Sequence, residues 1–194
     1  MTRAQFLLFL ASIFSLLGFK PAGRGAGKGH PVIRPPGSIP EEEFVNACVR
    51  CGNCMKVCIT NGLQPVMMDS GVAGVWTPHL VPEIGYCEYK CTLCGEVCPT
   101  QAIRQLTVAQ KEKARLGVAV IDHKTCIAWD GNDECIVCEE HCPVSDKAIK
   151  VREEIVNGKK IFRPTVDVDL CIGCGICQNK CPVRPVRAIR VSPV

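Results

Sequence analysis

The stretch Cys171-Ile172-Gly173-Cys174-Gly175-Ile176-Cys177-Gln178-Asn179-Lys180-Cys181-Pro182 decides the fold. It places four cysteines at gaps of two, two and three residues and then turns the chain with proline. Three more stretches share its ending, C-x2-C-x3-C: Cys48, Cys51, Cys54 and Cys58; Cys87, Cys91, Cys94 and Cys98; and Cys126, Cys135, Cys138 and Cys142. Only the first gap varies, being two, three, eight and two residues in chain order. The four quartets use all 16 cysteines of the 194-residue chain. Aromatic residues make up only 5%, and aromatics supply much of the buried area in ordinary cores. Burial alone is a weak source of stability for units this small, so the chain needs covalent or metal staples.

The spacing separates the possible staples. Disulfide frameworks spread their cysteines to close long loops, whereas these crowd into four short runs. Structural zinc sites use C-x2-C pairs parted by a longer insert. Three thiolates at consecutive short spacing, then a fourth and Pro, form the bacterial ferredoxin signature for a [4Fe-4S] cluster. In two-cluster ferredoxins the fourth Cys ligates the other cluster, so such motifs work in pairs. Sixteen cysteines therefore predict four [4Fe-4S] clusters in two pairs. Each oxidised cluster with its thiolates carries about −2, so the apo chain's net +4 becomes about −4 in the loaded protein. The basic balance is thus no sign of nucleic-acid binding, and no aromatics are interleaved with the basic residues to stack bases.

The flanks repeat as well. Cys98-Pro99, Cys142-Pro143 and Cys181-Pro182 each lead to an Ala-Ile pair, at Ala102-Ile103, Ala148-Ile149 and Ala188-Ile189. Cys58 is followed by Ile59 instead, and its turn is expected at Thr60-Asn61-Gly62, with Gly62 at positive φ. Gly52, Gly173 and Gly175 lie inside the ligand loops, where a missing Cβ lets backbone N–H groups approach the cluster sulfurs and tune the potential.

Residues 1–20 read as a signal-like segment or membrane anchor. The apolar run 6–19 is shorter than a usual spanning helix and follows Arg3. A buried N-terminal helix is the alternative. The start Thr2-Arg3-Ala4-Gln5-Phe6-Leu7 resembles a twin-arginine export signal with Ala4 in place of the second Arg, and no A-x-A cleavage site follows it. Residues 21–37 form a Gly/Pro linker. Ser38-Ile39-Pro40-Glu41 predicts a capping box opening a helix over residues 40–47. A solvated helix is expected over 105–116, strands over 118–121 and 161–168, and a hairpin over 151–160 turning at Asn157-Gly158.

Pro40-Glu41-Glu42-Glu43-Phe44 leading into Cys48-Val49-Arg50-Cys51-Gly52, with the four motifs in order, resembles the MauM/NapG-type ferredoxins over residues 36–190. More distantly the chain is similar to the iron–sulfur subunits of membrane-bound molybdopterin oxidoreductases. The resemblance implies an α+β fold: two ferredoxin-like dicluster modules of short strands and helices, after the apolar N-terminal helix. It also implies nested pairing, motif one with four and motif two with three. The expected modules are then an outer one, 38–66 with 161–194, and an inner one, 80–155. Nesting would group Cys48, Cys51 and Cys54 with Cys181, and Cys171, Cys174 and Cys177 with Cys58. Cys87, Cys91 and Cys94 would join Cys142, and Cys126, Cys135 and Cys138 would join Cys98. Motifs one and four share C-x2-C-G-x-C, and motifs two and three both lengthen the first gap.

No Rossmann glycine pattern, P-loop or nucleophilic triad is visible, and no catalytic residue is assigned. The expected function is single-electron relay between a membrane quinol- or quinone-linked partner, such as a quinol-oxidising subunit, and a redox enzyme such as a molybdopterin enzyme, or a cytochrome, with neither nucleic acid nor a small-molecule substrate. The alternative is a cluster-binding assembly or scaffold subunit of a larger redox complex. Membrane association on the periplasmic face is expected, with the cytoplasmic face as the alternative. His141 reads as a surface or outer-sphere group; His30, His79 and His123 as solvated; Met55, Met67 and Met68 as core; Trp76 and Trp129 as packing over a cluster. The insert Ile127-Ala128-Trp129-Asp130-Gly131-Asn132-Asp133-Glu134 is expected to project as a loop. It either shields its cluster or docks a partner, with Trp129 as anchor and Asp130, Asp133 and Glu134 steering a basic face.

Overall fold

In the computed structural model the described residues are Gln5 and residues 30–67, 71–131 and 133–194. The apolar run, most of the Gly/Pro linker and Met68 lie outside them. Among the described residues no helix is long and apolar enough to cross a membrane.

Short helices and two-stranded sheets alternate, and the same plan is built twice. In the first module α1 (Glu41–Ala47) leads into motif one, which carries α2 (Asn53–Lys56). A hairpin of β1 (Leu63–Pro65) and β2 (Pro78–Leu80) then returns the chain to motif two and α3 (Leu93–Glu96). Ile103 closes the module by an antiparallel bridge to Ser38. After α4 (Val108–Lys111) the second module opens on β3 (Gly117–Ile121). Motif three with α5 (Val137–Glu140), the hairpin of β4 (Ile149–Val156) and β5 (Lys159–Val166), and motif four with α6 (Ile176–Lys180) follow. The chain ends on β6 (Ile189–Pro193), antiparallel to β3 with Ile121 opposite Ile189.

The nested pairing is not the arrangement found. α2 packs against α3 and α5 against α6, so motif one stands beside two and motif three beside four. The hairpins, one running from Pro65 to Pro78 and the other turning at Asn157-Gly158, reverse the chain and bring consecutive motifs together at smaller loop-closure cost than distant ones. Contacts at the first hairpin hold this in place. The Thr60 hydroxyl, just after Cys58, donates to the Tyr86 carbonyl, just before Cys87. Gly62 and Gly85 cross so closely that a Cβ on Gly85 would stand 2.1 Å from the Thr60 carbonyl oxygen.

Each Ala-Ile pair is buried at 3% exposure or less, against its module's cysteines. Phe44 is the first module's anchor: fully buried, with the Arg34 guanidinium 4.6 Å above its ring and Arg34 Nε donating to Glu41 at 2.7 Å. The Cys48 N–H donates to the Phe44 carbonyl at 2.8 Å, so this anchor aims the first cysteine of motif one.

Several local expectations change. Pro40, without a side-chain cap bond, opens α1, because the Ser38 backbone is committed to the bridge with Ile103. The helix expected over 105–116 is one turn, with its capping box at Thr107 and Gln110. Asn61, at φ 56, makes the left-handed turn after Cys58; Gly62 serves the close crossing instead. Gln101, at φ 55, occupies the equivalent place after Cys98. Residues 117–121 and the Asn157-Gly158 hairpin follow the sequence reading, with φ 53 and 78 at the turn as a primed turn requires.

Candidate metal centres

Every motif uses one local device. Its first two cysteines lie in a loop, the third (Cys54, Cys94, Cys138 or Cys177) in a short helix, and the fourth just beyond it. Gly52 and Gly175 are the left-handed residues, φ 78 and 83, that open α2 and α6. Gly173 is left-handed too, at φ 69. Thr92 and Ile136 open α3 and α5 at negative φ. The glycine loop and the longer loop are therefore two ways of entering the same helix, and each module holds one of each.

The sixteen thiols collect into four quartets, each of three cysteines from one motif and one from its hairpin partner. Cys48, Cys51 and Cys98 are the thiols acting on Cys54; these four form the first quartet. Cys58 lines one pocket with Cys87, Cys91 and Cys94, the second quartet. Cys142 with Cys171, Cys174 and Cys177 forms the third. Cys181 with Cys126, Cys135 and Cys138 forms the fourth.

These quartets fit four-cornered clusters. All sixteen cysteines are free thiols. Among the described residues no group of three or more Cys, His, Asp or Glu closes up as around a single metal ion. A cluster with an iron at each corner spreads its thiolates more widely than one tetrahedral ion. Burial pushes Cys54 up to about 11 and Cys94, Cys138 and Cys174 up to about 12, with neighbouring thiols adding to the shift. Cys177 lies well above the ordinary thiol value for the same reasons. Thiols this hard to ionise become thiolates only when metal takes the place of the proton. Backbone N–H groups already point at sulfur: Ile103 at Cys98 and Ala119 at Cys171, each 3.4 Å.

The quartets also have an order. Cys54 of the first acts on Cys94 of the second. The Cys87 N–H of the second donates to the Cys174 carbonyl of the third at 2.8 Å. Cys138 of the fourth acts on Cys177 of the third. The line therefore runs first, second, third, fourth, and crosses between modules at Cys87 and Cys174. Leu116 N–H to the Ile172 carbonyl, 2.9 Å, and Asn179 Nδ2 to the Pro82 carbonyl, 3.0 Å, pin the same junction. Cys51 is the one exposed cysteine and marks the outer end.

Of the other residues, His141, His30 and Met55 take the places expected of them, and several others do not. The indole of Trp129 stacks on His123 at 3.8 Å, donates from Nε1 to the Pro164 carbonyl at 2.9 Å and lies 5.0 Å from the Arg163 guanidinium. Held inward at the edge of the second core, it is not a free docking anchor. Asp130, Asp133 and Glu134 are exposed, and Asn132 lies outside the described residues. His141 is exposed with Nδ1 2.9 Å from the Val137 carbonyl, His30 is exposed, and His79 is half-buried on β2. Met55 packs on the first core, but Met67 is 57% and Trp76 55% exposed. Lys111 is fully buried, in a stretch whose polar composition predicted a solvated helix.

Residues 133–184 match the family of 4Fe-4S dicluster domains. The chain is 38% identical over 164 residues to the methylamine utilization ferredoxin-type protein MauM of Methylorubrum extorquens, covering 83% of this chain and 72% of that one. It is 38% identical over 167 residues to the ferredoxin-type protein NapG of Escherichia coli, covering 84% and 71%. The ferredoxin-type protein NapF of Escherichia coli is 31% identical over 157 residues, covering 80% and 84%.

Proposed function

The chain belongs to the family of MauM and NapG ferredoxin-type proteins, iron–sulfur electron-transfer proteins, and on that premise we propose that it relays single electrons along four [4Fe-4S] clusters. The observation that carries this reading is the unbroken order of four complete cysteine quartets across the module junction. When bound, each cluster supplies a one-electron couple. The protein's part is to hold each quartet by loop and helix, to shield it with the Ala-Ile pairs, and to point N–H donors at the ligand sulfurs. Complete quartets leave no corner iron open to a substrate.

The proposed partners are a quinol- or quinone-linked membrane protein on one side and a redox enzyme or cytochrome on the other. Residues 1–20 would tether the carrier to the membrane, with its clusters on the periplasmic face and inserted before export. The apolar run and the linker after it support this part of the reading.

Anaerobically purified protein is expected to contain about sixteen irons and about sixteen acid-labile sulfides, with several reversible one-electron steps. About eight irons, or stoichiometric zinc, would count against it. A Cys58→Ser variant should perturb the cluster of motif two, and a Cys98→Ser variant that of motif one. Perturbation of the motif-four cluster by Cys58→Ser would instead restore the nested scheme.

A further inference from the structure

We propose that Lys111 is the counter-charge of the second quartet: its buried ammonium, held against the loop of motif two, raises the reduction potential of that centre and makes the module junction a resting place for the electron. The inference rests on the relay reading above. Lysine is almost never fully buried unless paired, yet Lys111 has no exposed surface. The ion pairs among the described residues all involve other cations, so no carboxylate neutralises it. Its Nζ donates to the Tyr89 carbonyl at 3.5 Å, between Cys87 and Cys91 in the loop of motif two, and its charge acts on the Cys87 thiol. The ammonium is thus tied to the loop of motif two.

The fold places it there deliberately in sequence terms. Thr107 and Gln110 cap α4 reciprocally, and the Lys111 N–H donates to the Thr107 carbonyl at 2.9 Å. This one capped turn fixes where the Lys111 side chain starts. Cys87 is also the residue whose N–H reaches Cys174 in the other module. Lys111 therefore sits where an electron passes between modules.

The chemistry follows from charge. Reduction adds one electron from the donor protein to the centre and breaks no bond, so the quartet becomes one unit more negative. A fixed positive charge in a desolvated setting favours that state. The same cation lowers the cost of ionising the Cys87 thiol, against the burial that raises it.

The full-length protein, purified without oxygen, is titrated electrochemically with the reduced clusters followed by electron paramagnetic resonance. In Lys111→Met one reduction step is expected to move to more negative potential while the others stay in place. Lys111→Arg, which keeps the charge, should return that step toward the wild-type position. Where the Met variant does not retain iron, Lys111→Gln is read in the same way, since it keeps a donor but no charge. Unchanged steps at full iron content overturn the inference. So does equal loss of iron from the Met, Gln and Arg variants, because the charge would then confer nothing. A wild-type protein lacking about sixteen irons or reversible steps would be a failure of the relay reading itself, and is visible before any variant is made.

Discussion

Removing iron with a chelator under anaerobic conditions is expected to abolish the cooperative thermal transition of the protein. Among the described residues, eight of the twenty-five buried apolar side chains are cysteines, and Phe44 is the only aromatic among them. Each module's core is therefore organised around its quartets, with Ala-Ile pairs and short hairpins as a thin outer layer. Binding at structural metal sites in small domains is worth about 10 kcal/mol or more, against a net domain stability of about 5–15 kcal/mol. Stripping also leaves Lys111 buried beside a neutral thiol instead of an anionic centre. Protons compete with iron for thiols whose values burial has raised to about 11 or 12, so less chelator should suffice as pH falls. Circular dichroism of loaded and stripped protein on heating is the check. An identical transition in both would mean that the polypeptide core holds itself.

A Gly173→Ala substitution is expected to have the largest effect of any single methyl group. Gly173 lies between Cys171 and Cys174 at φ +69, a region that L side chains rarely adopt. An added Cβ would stand 2.3 Å from the Gly117 nitrogen and 2.5 Å from its carbonyl carbon. Both are backbone atoms held by the β3–β6 ladder, so neither can swing aside. The strain and forced displacement together should cost about 3 kcal/mol or more. The first loss should be the third quartet and, with it, conduction between modules. Iron content falling toward three quarters of wild type, or complete failure to fold, is the expected result. Gly131→Ala is the control, because the same left-handed conformation there, φ +76, has no atom within 4 Å of the added Cβ. Equal effects in the two variants would assign the cost to backbone strain alone.

The grouping of the cysteines into four motifs was legible in the sequence because its spacing is local. Three cysteines in a loop and one helical turn need no knowledge of the rest of the fold. The Asn157-Gly158 turn and the strand over 117–121 are local in the same sense. Pairing is not. The likeness of motif one to four, and of two to three, reports how each loop enters its helix and says nothing about which helix lies opposite. That choice is made by the hairpins and by the crossing of Gly62 and Gly85, both set by backbone contact between segments distant in sequence. Lys111 was hidden for a related reason: its burial comes from Cys87 and Tyr89, about twenty residues away, while its neighbours look solvated. The insert was read as a projecting loop because Asp130-Gly131 promises a turn, but the β5 residues Arg163 and Pro164 draw the Trp129 ring inward.

Cys51 is the single exposed member of sixteen thiols otherwise buried or half-buried, and this makes ageing directional. Oxidation of thiolate sulfur follows exposure, so damage in air begins at one terminus and moves inward. About one quarter of the iron should disappear early, with the remainder following more slowly. A preparation caught at that stage would look sound by its fold and by most of its colour, yet would have lost its contact with whatever lies beyond the first quartet.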